Sequence, residues 1–382
     1  MNNFTNIATK VSGRSELLTV EWADGTASQF ASIWLRDNLP EDRDPHNRQR
    51  LIDVADLPPE PLIQDATLQD ADVRVRWQRE PQESRFPLAW LHEHRESSTE
   101  SAAPRARPWF EGARLNVSVD FCWQPYSVIH ADPRERLGWM RRLLQDGIAF
   151  LSGVPAVDEG ILEAMALLGR VAETNYGLVF DVRAVPQPEN LAYTDLGLGL
   201  HTDNPYREPV PGFQALHTLV AAPDGGENLF ADGFALAEHL RQTAPDVFAI
   251  LTRTPVPFHY LSKTADLYAE RPLIQLTCDG AVSAVHYNNR SVAPLRLPAR
   301  ECAAFYSAYR DFARLLREPR FQAVGALRQG DLVLFENQRI LHGRKAFVSA
   351  NYPRHLRGCY LTRDSVYSAQ ALLSAQQRKG AN

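Results

Sequence analysis

His201 and Asp203 stand two positions apart in the segment HTDNP, and His342, in the segment LFENQRILHGRKAF, comes 139 positions after Asp203. If these three side chains serve one site, the fold must bring widely separated strands together. A closed or sandwiched β-structure does this, whereas a local loop motif does not. On a strand, alternate residues point to the same side, so His201 and Asp203 are expected to project together from one strand. His342 would come from the far end of the apolar run that starts at Asp331. With 11 His and 46 acidic residues among 382, about 1.3 His-x-acid pairs arise by chance, so the pair alone decides little and its context decides more.

The remaining pattern gives that context. Residues 15–35 alternate apolar and polar side chains around Asp24-Gly25, which predicts a β-hairpin, and residues 71–80 alternate in the same way. Residues 1–95 therefore read as a small β-rich domain. Residues 96–112, with Ser, Ala, Pro and charges and no apolar period, read as a linker, and residues 113–382 as the main domain. There, strands are expected over 213–222, 273–278, 331–343 and 357–362, and helices over 132–147, 158–172, 234–251 and 298–319. Asp224-Gly225-Gly226 is a turn signal, and no internal repeat is expected.

Composition excludes several classes. The net charge of −5 offers no broad basic surface for nucleic acid or an anionic membrane, and no apolar run approaches the roughly 18 residues of a bilayer span. The first residues lack the layout of a signal peptide. Four scattered cysteines without a CxxC argue against a thiolate metal site or a disulfide framework. A reduced, cytoplasmic protein is the expectation.

Two histidines and one carboxylate are the minimum protein set for a non-haem Fe(II) site that keeps coordination positions open. Arg354, twelve positions after His342, suits the carboxylate of an acidic cosubstrate.

Five segments, WLRDN (34–38), HTDNP (201–205), GGENLFADGF (225–234), LFENQRILHGRKAF (334–347) and RHLRGCY (354–360), carry a resemblance over nearly the whole chain. In these segments, their order and their spacing, the chain resembles the γ-butyrobetaine hydroxylase family of Fe(II)- and 2-oxoglutarate-dependent dioxygenases. The resemblance implies a mixed, mainly β fold: a double-stranded β-helix (jelly-roll) core with flanking helices after a small N-terminal domain. It implies that His201, Asp203 and His342 bind iron and that Arg354, helped by Asn228 in the GGEN turn, holds 2-oxoglutarate. O2 is the other cosubstrate, ascorbate is an optional addition, and succinate and CO2 accompany the hydroxylated product. Many members are homodimers.

By the same resemblance, a trimethylammonium group is held by Tyr176, Phe180, Tyr193 and Tyr360, with Asn190 beside them, through cation–π attraction. Asn289 matches an asparagine near the substrate's anionic end. Arg290 follows it, and Tyr206 offers a further hydrogen bond. A guanidinium at that end suits a phosphonate better than a carboxylate, which resembles the 2-(trimethylammonio)ethylphosphonate dioxygenases of the family. γ-Butyrobetaine is the alternative substrate and trimethyllysine the third, and a non-catalytic betaine-binding protein is the reading from another class. Many members also carry a zinc site after WLRDN. Here LPEDRDPHNRQR holds no cysteine, Gln82 stands near the expected histidine, and His46 alone cannot hold zinc, so no zinc is expected.

Overall fold

The protein, seen as a computed structural model, is described over residues 8–96, 106–109, 122–183, 196–222, 225–347 and 354–380. Its chain divides into two compact units, Met1–Ala102 and Ala103–Asn382. Most of the segment read as a linker lies outside the described residues.

The first unit builds two three-stranded antiparallel sheets. β1 (Ala8–Arg14), β2 (Leu17–Trp22) and β3 (Ala27–Ala31) precede helix α1 (Ser32–Asp37), while β4 (Ile63–Gln69), β5 (Asp72–Trp77) and β6 (Glu83–Pro87) precede α2 (Leu88–Glu93). The expected hairpin is β2–β3 with its turn at Asp24-Gly25, and the second alternating run is β5. The expectation of no internal repeat is corrected. Ser28-x-Phe30-x3-Trp34-Leu35 recurs as Ser84-x-Phe86-x3-Trp90-Leu91. In each copy the serine Oγ accepts from a tryptophan Nε1 of the preceding strand at 2.8 Å, Trp22 in one and Trp77 in the other. Phe30, Leu35, Phe86 and Leu91 meet in one core, where Trp34 and Trp90 stack at 5.2 Å. The repeat escapes a scan for long periods because only four positions per copy are shared.

In the loop after α1, charge does the holding. Arg36 pairs with Asp42 at 2.6 Å and Glu80 at 2.9 Å, and Arg50 pairs with Asp37 at 2.6 Å.

The second unit stacks two sheets. The larger contains β7 (Trp123–Pro125), β8 (Ile148–Ser152), β9 (Val171–Ala172), β10 (Phe180–Arg183), β12 (Phe213–Val220), β19 (Leu332–Glu336) and β21 (His355–Leu361), in the order β10-β21-β12-β19-β8-β7 with β9 on β21. The smaller has the order β11-β20-β13-β18, from β11 (Leu198–His201), β13 (Asn228–Asp232), β18 (Ala323–Gly325) and β20 (Ile340–Arg344). Strand alternation sorts the apolar residues. Leu216, Val333, Phe335 and Leu356 of the large sheet meet Phe230, Ala323 and Ile340 of the small one, forming the inner core. Phe213, Ala215 and Leu334 face helices α3 (Tyr126–Ala131), α4 (Pro133–Asp146), α5 (Gly160–Ala166) and α9 (Arg363–Gly380) on the outer side. Ala231 and Leu341 face α6 (Gly233–Thr243), α7 (Pro245–Arg253) and α8 (Ala299–Leu315). This is the expected jelly-roll with flanking helices. Two ribbons, β14 (Val256–Leu261) with β15 (Asp266–Arg271) and β16 (Ile274–Leu276) with β17 (Val282–Val285), complete it. No described helix is long and apolar enough to cross a membrane.

Three element expectations need correction. The run 331–343 is two strands, β19 and β20, because Asn337, Gln338 and Arg339 turn between them. The helix over 234–251 breaks at Ala244, since Pro245 has no N–H to continue the ladder and instead opens α7. The helix over 158–172 is only α5, and its apolar tail enters the large sheet as β9.

Arg36→Ala should lower the stability of the full chain by roughly 1–3 kcal/mol, since two part-buried carboxylates lose a charge-assisted partner. Denaturant unfolding of the tag-free protein measures this, and elemental analysis of the same sample should give no stoichiometric zinc. An unchanged midpoint would show that the apolar core alone holds the loop.

Candidate metal centre and its cavity

β11 and β20 run antiparallel with His201 directly opposite His342, and their rings lie 4.3 Å apart. Gly343 makes this approach feasible, for a Cβ there would fall 2.5 Å from the Leu198 carbonyl oxygen. β11 ends at His201, so Asp203 is not on the strand as expected but in the loop beyond it. It still reaches the pair: Asp203 Oδ1 is 3.2 Å from His201 Nε2, and Oδ2 is 3.9 Å from His342 Nε2. Among the described residues these three form the one group of potential ligands able to surround a metal ion, with their ligand atoms within 4.8 Å of one another.

The electrostatics fit a cation. His201 Nδ1 lies 2.9 Å from the Gly199 carbonyl, which fixes the ring with Nε2 turned toward the Asp203 carboxylate. Burial, then the neighbouring His201, pushes the His342 imidazole down to about 3, so it is neutral at pH 7, as a ligand must be. Burial opposes ionisation of Asp203, but its hydrogen bond with His201 and, at the acid pH where the carboxyl titrates, the charge of protonated His342 outweigh burial and hold it below the usual range.

A cavity opens on this group. One end is cationic: Arg344 and Arg354 are both buried, both lie near the Phe347 ring, and Arg354 Nη2 donates to Asn228 Oδ1 at 3.2 Å. Asn228 is the first residue of β13 rather than a turn residue. Burial, then the charge of Arg344, lowers the Arg354 guanidinium to about 10. Among the described lining residues Asp203 is the one carboxylate against Arg290, Arg344 and Arg354, so the cavity is built for anions. Arg344 was missed in the sequence, although residues two apart on a strand share a face and it follows His342 by two.

The other side is aromatic. Tyr176, Phe180 and Tyr360 line the cavity, with Tyr176–Phe180 centroids 6.3 Å and Phe180–Tyr360 centroids 5.1 Å apart. Gly358, opposite Phe180 on β21, leaves room for that ring, since a Cβ would meet it at 2.4 Å. The Tyr360 hydroxyl also donates to Asp203 Oδ2 at 2.8 Å. Tyr260 extends the cluster, 6.2 Å from Tyr176 and stacked on Tyr206 at 5.1 Å. Tyr193 and Asn190 lie outside the described residues.

The expected anionic end is only partly assembled. Arg290 lines the cavity. Asn289 does not: it lines a neighbouring cleft behind β11, where its Oδ1 accepts from the Tyr309 hydroxyl at 3.2 Å. The Tyr206 hydroxyl donates to Asn204 Oδ1 at 2.6 Å and is therefore already engaged. Gln214 of β12 is a further lining residue that the sequence reading did not single out.

Gly343→Ala should separate β11 from β20. The expected cost is about 1–3 kcal/mol by denaturant unfolding, with turnover falling further than stability because His201 moves away from His342. Wild-type turnover in this variant would contradict the close approach.

Comparison with known proteins agrees with the geometry. The profile of the taurine catabolism dioxygenase TauD, TfdA family matches residues 125–360, and that of the gamma-butyrobetaine hydroxylase-like N-terminal region matches residues 9–92. A gamma-butyrobetaine dioxygenase of Pseudomonas sp. (strain AK-1) is 35% identical over 92% of each chain. Dioxygenase str8 of Strobilurus tenacellus is 31% identical over 89% of this chain and 84% of its own. A trimethyllysine dioxygenase of Meyerozyma guilliermondii is 26% identical over 96% and 95%. A profile match over most of the chain, two relatives above 30% identity and a jelly-roll that carries a His-Asp-His group lead to one conclusion: the chain belongs to the TauD, TfdA family and is an Fe(II)- and 2-oxoglutarate-dependent dioxygenase.

Proposed function

We propose that this dioxygenase hydroxylates a small trimethylammonium compound with an anionic far end, 2-(trimethylammonio)ethylphosphonate in the first place, at the carbon bearing phosphorus. The observation that carries the reading is the presence of Arg290 in the cavity that also holds three aromatic faces and the His-Asp-His group. A trimethylammonium group has no N–H to donate, so electron-rich faces are its natural partners, each worth about 0.5–2 kcal/mol. Tyr176, Phe180 and Tyr360 supply such faces. A phosphonate carries up to two charges and three oxygens, and Arg290 offers a fixed charge and paired donors.

His201, Asp203 and His342 are the residues that would hold Fe(II), and Arg354, set by Asn228, would take the distal carboxylate of 2-oxoglutarate. Iron and cosubstrate supply the oxidising power for breaking a C–H bond when bound. The chain's own residues do the positioning. The aromatic faces fix the cation, Arg290 fixes the anion, and the carbon between them is presented to the metal side of the cavity. Apolar Val182, Leu198, Leu216 and Leu356 line the rest and limit water.

γ-Butyrobetaine is the second reading, supported by the 35% identical gamma-butyrobetaine dioxygenase. It shares the cation and differs in the anion. Family membership sets aside a non-catalytic betaine binder.

Substrate-dependent succinate release with each compound separates the readings: the phosphonate should turn over much faster, and Arg290→Leu should narrow the gap by falling hardest on the phosphonate. A wild-type preference for γ-butyrobetaine, or equal losses in the variant, would transfer the assignment to γ-butyrobetaine. Separately, Arg354→Ala should raise KM for 2-oxoglutarate far more than KM for the betaine, since an unpaired buried charge costs about 2–5 kcal/mol. A larger effect on the betaine would refute the role of Arg354.

A further inference from the structure

Asp203 has left the β-ladder, so something other than strand pairing must locate it. The fully buried side chain of Asn337 does so by a reciprocal pair of bonds. Its Oδ1 accepts from the Asp203 backbone N–H at 2.7 Å, and its Nδ2 donates to the Asp203 carbonyl at 3.0 Å and the Pro211 carbonyl at 3.1 Å. Acceptor and both amide donors are thereby used.

The turn that carries Asn337 is itself anchored. The Asn337 N–H bonds the Gly212 carbonyl at 2.9 Å, Gln338 Nε2 donates to the Val210 carbonyl at 3.1 Å, and the fully buried Arg339 pairs with Asp232 at 2.7 Å. Three residues after Asn337, β20 begins and carries His342. One turn thus locates two members of the group, His342 through the strand and Asp203 through the amide.

We infer that Asn337 is a positioning residue of the metal centre, setting where the Asp203 carboxylate stands relative to the two histidines. This rests on the reading of His201, Asp203 and His342 as the metal ligands. Only an amide offers an acceptor and two donors in one plane. A carboxylate at this position would keep the bond from the Asp203 N–H but would set its second oxygen against two carbonyl oxygens. Alanine leaves three part-buried backbone groups without the Asn337 side chain as partner.

The test is anaerobic calorimetric titration of the full chain, saturated with 2-oxoglutarate, with Mn(II) as the probe. Wild type is compared with Asn337→Ala, Asn337→Asp, Asp203→Ala and Leu143→Ala, a core change in α4 that lowers stability away from the site. Asn337→Ala and Asn337→Asp should fold and bind the metal roughly 10–100-fold more weakly, as loss of a ligand-orienting partner does. Leu143→Ala should keep wild-type affinity despite a lower melting temperature. Folded Asn337 variants with wild-type affinity would overturn the inference. So would failure of both, and of Asn337→Ser, to fold, because Asn337 would then be a determinant of folding alone. If Asp203→Ala itself keeps wild-type affinity, it is the metal-site reading that fails, and with it the premise of the inference.

Discussion

The register between β11 and β20 is the constraint on which the rest of the site depends. His201 and His342 face each other only because this antiparallel pairing sets them opposite. A slip of one residue would turn His342 outward and bring Leu341 or Gly343 to the inner face. Two devices resist such a slip. Gly343 admits the β11 backbone at a distance that no side chain tolerates. Sorting by burial is the other: Leu341 belongs to the core under α6–α8, while Ile340 belongs to the core between the sheets. Packing and chemistry thus select the same register.

From that pair the cavity follows by alternation. β20 carries His342 and Arg344 on one face, opposite Phe230 and Asn228 of β13. β12 contributes Gln214 and Leu216, and β21 contributes Leu356 and Tyr360, from the facing sheet. The jelly-roll therefore collects metal ligands, guanidinium groups and aromatic rings from strands far apart in sequence. Three arginines against one carboxylate make the cavity receptive to anions, and under the proposed function the aromatic side takes a cation without N–H groups. Tyr360 joins the two functions, since its ring packs beside Phe180 while its hydroxyl holds Asp203.

Much of this was legible in the sequence, for physical reasons that also explain the gaps. The wide separation of His201 and His342 demanded two strands brought together, and strand alternation then implied β-structure. The same rule would have found Arg344. The two-residue spacing of His201 and Asp203 reads the same whether the second residue is paired or just past the strand end. The turn at Asn337–Arg339 was hidden inside an apolar run, although three consecutive polar residues there could not all face a core unless each found a partner, as each does. Asn289 and Arg290 are adjacent, and only Arg290 lines the cavity, a divergence that a residue list cannot reveal. The repeated Ser-x-Phe-x3-Trp-Leu shares only four positions per copy, and its tryptophan–serine bonds tie each copy to a strand outside the shared string.

The central claim is that a cross-strand histidine pair and one off-strand carboxylate hold the iron. Anaerobic Fe(II) binding in the presence of 2-oxoglutarate, measured on wild type and on His342→Ala, tests it most directly. The account predicts one ion per wild-type chain and loss of that binding in the variant. A folded His342→Ala that still binds one ion with unchanged affinity would contradict it.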